Sequence, residues 1–187
     1  EGNFSSARLY YRKCDLADVK DVEKLALSVK SLNKKVDVVL NNAGRQFFTY
    51  ETTVQGFEMT MGVNHFSHVY LTDLLLESLA PNARIINVSS AAQNMSDAAK
   101  HKGDIDFDRF FSYPKTGYSV NGAYSYSKLA NILFTKSLAK FANEKKLAFK
   151  SVSLHPGLVD TDYLTINKFR QLISFIARPL FWALFKN

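Results

Sequence analysis

The sequence predicts an α/β fold in which a doubly wound parallel sheet carries helices on both faces. Short apolar runs alternate with longer segments of helical spacing along the 187 residues, and such alternation is typical of parallel strands joined by helices. The composition is 47% apolar, with 8 glycines and 4 prolines, which is ordinary for one globular domain with its own core.

The first half of the chain contains two predicted strand–helix alternations. Leu9–Tyr11 is a short apolar run that we expect to be a strand. Val19–Leu32 has apolar residues at helical spacing and predicts a helix. Val36–Leu40 is rich in β-branched residues and predicts a buried strand. Phe57–Leu79 has a wide apolar face and predicts a long helix.

The second half continues the alternation after a polar interruption. Arg84–Val88 predicts a strand, whereas residues 92–121 are polar, contain two glycines and a proline, and predict a surface excursion. Ala123–Asn143 predicts a strong helix and Phe149–Leu154 a further strand, after which Pro156 and its following glycine interrupt the chain. We find no internal repeat, so we expect residues 1–187 to form a single domain.

Cysteine usage and charge exclude several classes of protein. Cys14 is the single cysteine, so the chain is not a disulfide scaffold. The sequence contains no run of eighteen apolar residues, so it predicts no bilayer-spanning helix. Residues 1–127 carry 14 basic and 14 acidic residues, so the net charge of +7 lies entirely in the last third. No nucleic-acid-binding motif accompanies that charge, and we expect no nucleic acid partner.

Part of this charge lies in residues 165–187, which we predict to be a basic amphipathic segment rich in aromatic residues. A segment of this kind can lie on an anionic membrane surface. It can equally be a helix with basic edges that packs on the core or on a protein partner. Both interpretations remain open from the sequence.

Polar residues follow three of the predicted strands. Asn41 to Gly44 follow one strand, Ser89 and Ser90 follow the next, and His155 follows the last. Ligands in open parallel sheets bind beyond the carboxyl ends of the strands, so the sequence predicts a binding site at this edge.

Tyr124 and Lys128 are the strongest candidates for chemistry. They are four residues apart on a predicted helix and therefore share one face. A phenol has a pKa of about 10 and is a poor base near neutrality, but an adjacent ammonium stabilises the phenolate and lowers that pKa. The pair suits proton transfer at an alcohol or carbonyl oxygen, although the spacing alone is common.

Together, five ordered motifs resemble the short-chain dehydrogenase/reductase family. They read NNAG at 41–44, VNH at 63–65, NVSS at 87–90, YSYSK at 124–128 and HPGLVDT at 155–161. Residues 62–76 and 123–139 further resemble the retinol dehydrogenase branch and the related WW-domain-containing oxidoreductases. The resemblance implies a Rossmann-like doubly wound sheet and an NAD(P)-dependent oxidoreductase that interconverts an alcohol and a carbonyl.

The resemblance also implies roles for individual residues. Tyr124 would be the general acid/base on the substrate oxygen, and Lys128 would lower the pKa of Tyr124 and bind the nicotinamide ribose. Ser90 would hold and polarise the carbonyl. Asn64 would hold a water that links Lys128 to solvent.

The same resemblance implies a set of cofactor-binding residues. The adenosine side would be lined by Asn42, Ala43 and Gly44, and bounded by Asp15 and Leu16. Asp15 would accept from the adenine amino group, although it could also serve only as a helix cap. The nicotinamide side would be bounded by Pro156, Gly157 and Thr161. The cofactor would be NADP or NAD, with NADP favoured by the resemblance, and no metal site is expected.

The family's first element is not found in this sequence. A glycine-rich turn normally seats the pyrophosphate at a helix N-terminus, yet Gly2 is the only glycine before Gly44. Leu9–Leu16 resembles the third strand of the family. We therefore expect an incomplete fold, without the first two strand–helix units and the C-terminal end, and we expect the 187 residues alone to be inactive.

Two function classes follow from the sequence. The first is an active oxidoreductase with a small lipophilic substrate, either retinoid-like or steroid-like. The second is a catalytically inactive relative that serves as a structural subunit of a larger membrane-associated assembly. The resemblance implies an intracellular protein associated with the endoplasmic reticulum or a mitochondrial membrane, and a homo-oligomer paired through its long helices.

Overall fold

A computed structural model describes residues 9–96 and 113–157 and contains a three-stranded parallel sheet. The strands are β1 (Val36–Asn41), β2 (Leu79–Val88) and β3 (Lys150–Leu154), in the spatial order β1-β2-β3. Both pairings are parallel, which confirms the predicted sheet. Each strand follows the preceding one through a helical crossover, as parallel connections require.

Within residues 9–96 and 113–157, four α-helical segments accompany the sheet. They are α1 (Val19–Lys30), α2 (Met59–Met61), α3 (Ser67–Leu75) and α4 (Val120–Lys145), and a π-helical turn over Gly62–Phe66 joins α2 to α3. Helices occur at the three predicted places, but the expected helix Phe57–Leu79 is interrupted by the π-helical turn and ends before Leu79, where β2 begins five residues earlier than expected. Helix α4 begins three residues earlier than expected because Ser119 caps it by accepting from the Gly122 N–H. Two 3₁₀ turns complete the order, at Leu76–Ser78 and Ala91–Met95.

The predicted strand at Leu9–Tyr11 is wrong: these residues form no strand and lie exposed. In the doubly wound order 3-2-1-4-5-6, a third strand pairs with the second and is separated from the fourth by two others. None of the three described strands pairs with Leu9–Tyr11. A short run without a neighbour has nowhere to direct its backbone hydrogen bonds and does not persist as a strand.

The main core lies on one face of the sheet, beneath α1, α3 and α4. Val39 and Ile85 are register partners and point into it. The remaining buried members come from those helices, from β2 and from the residue before β3, namely Ala26, Leu75, Ala83, Leu138, Ala142 and Phe149. The sequence predicts a helical layer on each face of the sheet, and α1, α3 and α4 form the layer over this core.

The chain divides into two compact units, Glu1–His155 and Pro156–Asn187. In the second unit the structure describes Pro156 and Gly157, both exposed. The predicted segment 165–187 and Thr161 lie outside the described residues, as does most of the predicted excursion. Within residues 9–96 and 113–157, no helix has both the length and the apolar character needed to cross a bilayer.

Candidate active site

The carboxyl ends of the three strands meet at one edge of the sheet. Asn41 is in register with Asn87, and Asn87 with Ser153. The next residues along each strand therefore emerge side by side, which is the arrangement expected for a ligand site in an open parallel sheet. The long helix α4 packs against β3 and against the 3₁₀ turn that follows β2.

Lys128 and Tyr124 lie together on α4 beside this edge. The Lys128 side chain is buried, with 4% of the residue exposed, and its ammonium lies 5.5 Å from the centroid of the Tyr124 ring. Burial lowers the pKa of Lys128 to about 8, because a low-dielectric environment disfavours the charged form. The four-residue spacing predicted from the sequence thus places an ammonium against the phenol ring.

Main-chain groups at the end of β2 fix Lys128. Its Nζ donates to the Val88 carbonyl oxygen at 3.1 Å. Ser89 donates through its hydroxyl to the Lys128 carbonyl oxygen at 2.7 Å, so Ser89 ties the strand to the helix. Ser90 is half-buried and accepts from the Ala92 N–H at 3.2 Å. A hydroxyl used in this way can still donate its own hydrogen.

Asn64 lies fully buried in the π-helical turn and acts as a bridge. Its Oδ1 accepts from the Arg45 N–H at 2.9 Å, and its Nδ2 donates to the Arg45 carbonyl at 3.0 Å. Nδ2 also donates to the Ser127 hydroxyl at 3.1 Å. Asn64 therefore holds the chain after β1 against α4, and π-helical turns of this kind often occur at functional sites.

The loop after β1 contains the three predicted adenosine-side residues, Asn42, Ala43 and Gly44, all of them exposed. A Cβ added to Gly44 would lie 2.8 Å from the Asn64 Oδ1. Glycine is therefore required at this position if Asn64 is to reach the backbone of Arg45.

Asp15 and Leu16 precede α1. The Asp15 side chain accepts from the Ala17 N–H at 2.9 Å, whereas the cap of α1 is Asp18, which accepts from the Lys20 N–H at 3.0 Å. Asp15 thus stabilises the turn before the helix and does not cap the helix itself. Pro156 and Gly157 follow β3 in the second unit, and Gly157 has a φ of 82°, a conformation that favours glycine.

Sequence reasoning missed a buried polar network around these residues. Asn131 Nδ2 donates to the carbonyl oxygens of Asn64 (3.2 Å) and Val88 (3.1 Å), and its Oδ1 lies 2.9 Å from His65 Nδ1. His68 Nδ1 lies 3.2 Å from the Asn64 carbonyl oxygen. The available signal was the spacing of three between Lys128 and Asn131, which places both on one helix face.

Both histidines of this network are neutral near pH 7. Burial lowers the pKa of His65 to about 4 and that of His68 to about 4. Because a carbonyl oxygen only accepts, His68 must donate through Nδ1 to Asn64. Neither imidazole belongs to a candidate metal site, since no group of three or more potential metal ligands occurs in the part of the chain that the structure describes.

Tyr126 lies two residues from Lys128 but is not part of this arrangement. It is 2% exposed and packs in a second core cluster with Met61, Tyr113 and Ala123. A spacing of two residues on a helix places Tyr126 and Lys128 on different sides, which agrees with this placement.

The parallel sheet and the motifs at its carboxyl edge are those of a short-chain dehydrogenase domain, and comparison with known proteins agrees. The family model described as short chain dehydrogenase matches residues 2–101. The chain therefore belongs to the short-chain dehydrogenase family.

Individual relatives cover most of this chain. Retinol dehydrogenase 11 of Mus musculus is 39% identical over 159 residues, which is 84% of this chain and 47% of the relative. An uncharacterized protein from Mycobacterium paratuberculosis, known from its crystal structure, is 36% identical with a TM-score of 0.67, covering 82% of this chain and 52% of that one.

A more distant solved structure shares the fold. The NADPH-bound carbonyl reductase from chicken fatty liver is 23% identical with a TM-score of 0.55, and the match covers 80% of this chain and 57% of that one. The chain spans about half the length of the curated relatives it matches.

Proposed function

We propose that the protein carrying this sequence is an NAD(P)-dependent oxidoreductase that interconverts an alcohol and a carbonyl. The observation that carries the proposal is the buried Lys128 ammonium, 5.5 Å from the centroid of the Tyr124 ring, at the carboxyl edge of a parallel sheet. Such a pair favours proton transfer at an oxygen atom.

The residues present would hold the adenosine and nicotinamide ends of a nicotinamide dinucleotide. The open loop at Asn42, Ala43 and Gly44 lies beyond β1, and the Gly44 backbone has no room for a Cβ. These residues would line the adenosine side together with Asp15 and Leu16, and Lys128 would bind the nicotinamide ribose. We assign the nicotinamide side to Pro156, Gly157 and Thr161 on the strength of the sequence motif.

The chain's own side chains would act on the substrate oxygen. Tyr124 would take the hydroxyl proton during oxidation and return it during reduction. Ser90 would donate a hydrogen bond to the same oxygen as it gains negative charge. When bound, the cofactor accepts or supplies the hydride. The positive charge of Lys128 favours the form of Tyr124 that accepts a proton.

The substrate class we propose is a small lipophilic alcohol or carbonyl, retinoid-like or steroid-like. Support comes from the relative named retinol dehydrogenase, at 39% identity. We propose NADP(H) as the preferred cofactor, with NAD(H) as the alternative, and support comes from the NADPH-bound carbonyl reductase of the same fold. Turnover with NADPH and NADH on matched retinoid and steroid substrates separates these choices.

The test of the chemistry is Tyr124→Phe in the natural protein that carries this sequence. Turnover should fall by about 10²-fold or more, the contribution of a positioned acid/base group, while NADPH binding is retained. Tyr126→Phe is the matched control, because Tyr126 is buried in a different cluster, and it should keep turnover within about two-fold.

Two results would contradict the proposal. Full turnover in Tyr124→Phe would remove the acid/base role. Absence of turnover in the natural protein with every cofactor and substrate pair would favour the alternative function, a structural subunit of a larger assembly.

We also propose that residues 165–187 associate with a membrane surface or a protein partner, and that the protein resides at an intracellular membrane. The support is the sequence, in which 10 basic residues stand against 3 acidic ones after residue 127. Co-sedimentation with anionic vesicles at low and high salt tests the membrane role. Sedimentation equilibrium tests the proposed homo-oligomer.

A further inference from the structure

The Asn131 side chain is buried at the centre of the candidate site, with 3% of the residue exposed. Its Nδ2 donates to the carbonyl oxygens of Asn64 and Val88 at 3.2 and 3.1 Å, and its Oδ1 lies 2.9 Å from His65 Nδ1. Every polar position of the amide therefore has a partner. A fully satisfied buried amide has one orientation and holds its partners in place.

The Val88 carbonyl oxygen links Asn131 to Lys128. It accepts from the Lys128 ammonium at 3.1 Å and from the Asn131 amide at 3.1 Å. A carbonyl oxygen has two lone pairs, so it can accept from both donors at once. The Asn131 amide and the Lys128 ammonium thus lie side by side on one acceptor at the end of β2.

The Asn64 carbonyl oxygen links Asn131 to the π-helical turn. It accepts from Asn131 and from His68 Nδ1 at 3.2 Å each. The Asn64 side chain in turn holds the backbone of Arg45. One amide on α4 therefore connects the end of β2 with the turn that supports the loop after β1.

His65 fixes the orientation of the amide. Because the Asn131 NH₂ group faces two carbonyl oxygens, its Oδ1 faces His65, and His65 Nδ1 must carry the hydrogen. A rotation of the amide by 180° would place Oδ1 against the two carbonyl oxygens. The arrangement is therefore determined by the donor and acceptor pattern of its partners.

We propose that Asn131 is a positioning residue for the reaction, holding the Val88 and Asn64 carbonyl groups so that the Lys128 ammonium is seated beside Tyr124. The inference rests on the proposed function for its catalytic consequence. The seating of Lys128 itself can be measured without turnover.

The first experiment compares Asn131→Leu with Thr135→Val in the natural protein that carries this sequence. Leucine keeps the approximate size but removes both donors. Thr135 is a buried residue on the same helix that accepts from Asn87 Nδ2 at 2.9 Å and donates to the Asn131 main-chain carbonyl oxygen at 2.8 Å. Its variant therefore removes two buried hydrogen bonds but keeps the Asn131 side-chain amide. We expect Asn131→Leu to lower kcat at least about ten-fold with little change in the KM of the substrate, and Thr135→Val to change kcat by less than about two-fold.

Urea unfolding of both variants shows whether their stability losses match. Equal loss of kcat in the two variants, or retention of kcat in Asn131→Leu, would overturn the proposal.

The second experiment uses Asn131→Asp and follows the Lys128 side chain by ¹³C NMR across pH. The titratable groups around it are His65, His68 and Lys128 itself, with Tyr124 on the same helix. A carboxylate sharing the surroundings of Val88 should raise the pKa of Lys128 by about one unit or more. An unchanged titration would overturn the proposal even if the protein showed no turnover. Absence of turnover in the unsubstituted protein would instead count against the proposed function.

Discussion

At the scale of single residues, the site is built from side chains that burial holds in one protonation state. His68 is 5% exposed and donates through Nδ1 to the Asn64 carbonyl oxygen. Burial lowers its pKa from 6.5 to about 4. A neutral imidazole in the folded protein and a charged one in the unfolded chain make stability depend on pH.

We predict that the free energy of unfolding falls as pH is lowered from 7 to 5. In this window the unfolded chain binds a proton at His68 that the folded protein does not bind, so acid favours unfolding. The expected loss for His68 is about 2 kcal/mol, measurable by urea denaturation at the two pH values. His68→Gln should reduce this loss, because the variant lacks the buried imidazole. An equal loss in the unsubstituted protein and in His68→Gln would contradict the assignment.

At the scale of elements, the start of the second helical region depends on a buried carboxylate. Glu58 is 2% exposed and caps α2 by accepting from the N–H groups of Thr60 and Met61, each at 2.8 Å. It also accepts from the Tyr118 hydroxyl at 3.0 Å, and burial raises the pKa of Tyr118 to about 12. Three donors together compensate for removing the carboxylate from water.

We predict that Glu58→Ala lowers the free energy of unfolding by about 2 kcal/mol, because the two N–H groups and the Tyr118 hydroxyl lose a buried acceptor. Glu144→Ala is the control. Its carboxylate is exposed and lies 3.7 Å from the Lys140 ammonium, and such a surface pair contributes less than about 1 kcal/mol. Urea unfolding measures both, and equal losses would argue against the capping role of Glu58.

At the scale of the whole molecule, the sheet presents two different faces. Val39 and Ile85 point into the core beneath α1, α3 and α4. On the other face Leu40 and Val152 are 58% and 43% exposed, each in register with Ile86 of the central strand. Neighbouring apolar side chains that are exposed in this way are unusual on the surface of a soluble protein.

We predict that the 187-residue chain by itself binds NADPH with a Kd of about 0.1 mM or weaker. The sequence has no glycine between Gly2 and Gly44, so it contains no glycine-rich turn to receive the pyrophosphate. Isothermal titration calorimetry measures the affinity. A micromolar Kd for these residues alone would refute the prediction and require another pyrophosphate site.

Local sequence patterns were enough to predict the fold class, most element positions and the strand ends at which the candidate site lies. Each of these is carried by local pattern: β-branched runs for β1, and helical spacing for α1 and α4. The Tyr124–Lys128 pair was also predictable, because a spacing of four on a helix fixes a shared face regardless of the surroundings. The prediction of a strand at Leu9–Tyr11 was wrong because a strand depends on its neighbours as well as on its own residues.

The way in which the candidate residues are held depends on contacts between residues that are far apart in the sequence. Asn131 and His65 are linked by a contact between residues 66 positions apart, and no local pattern indicates that pairing. The same holds for the π-helical turn that places Asn64 against Arg45. Burial likewise depends on all the elements packed around a side chain, which is why the lowered pKa of Lys128 was not readable from sequence alone.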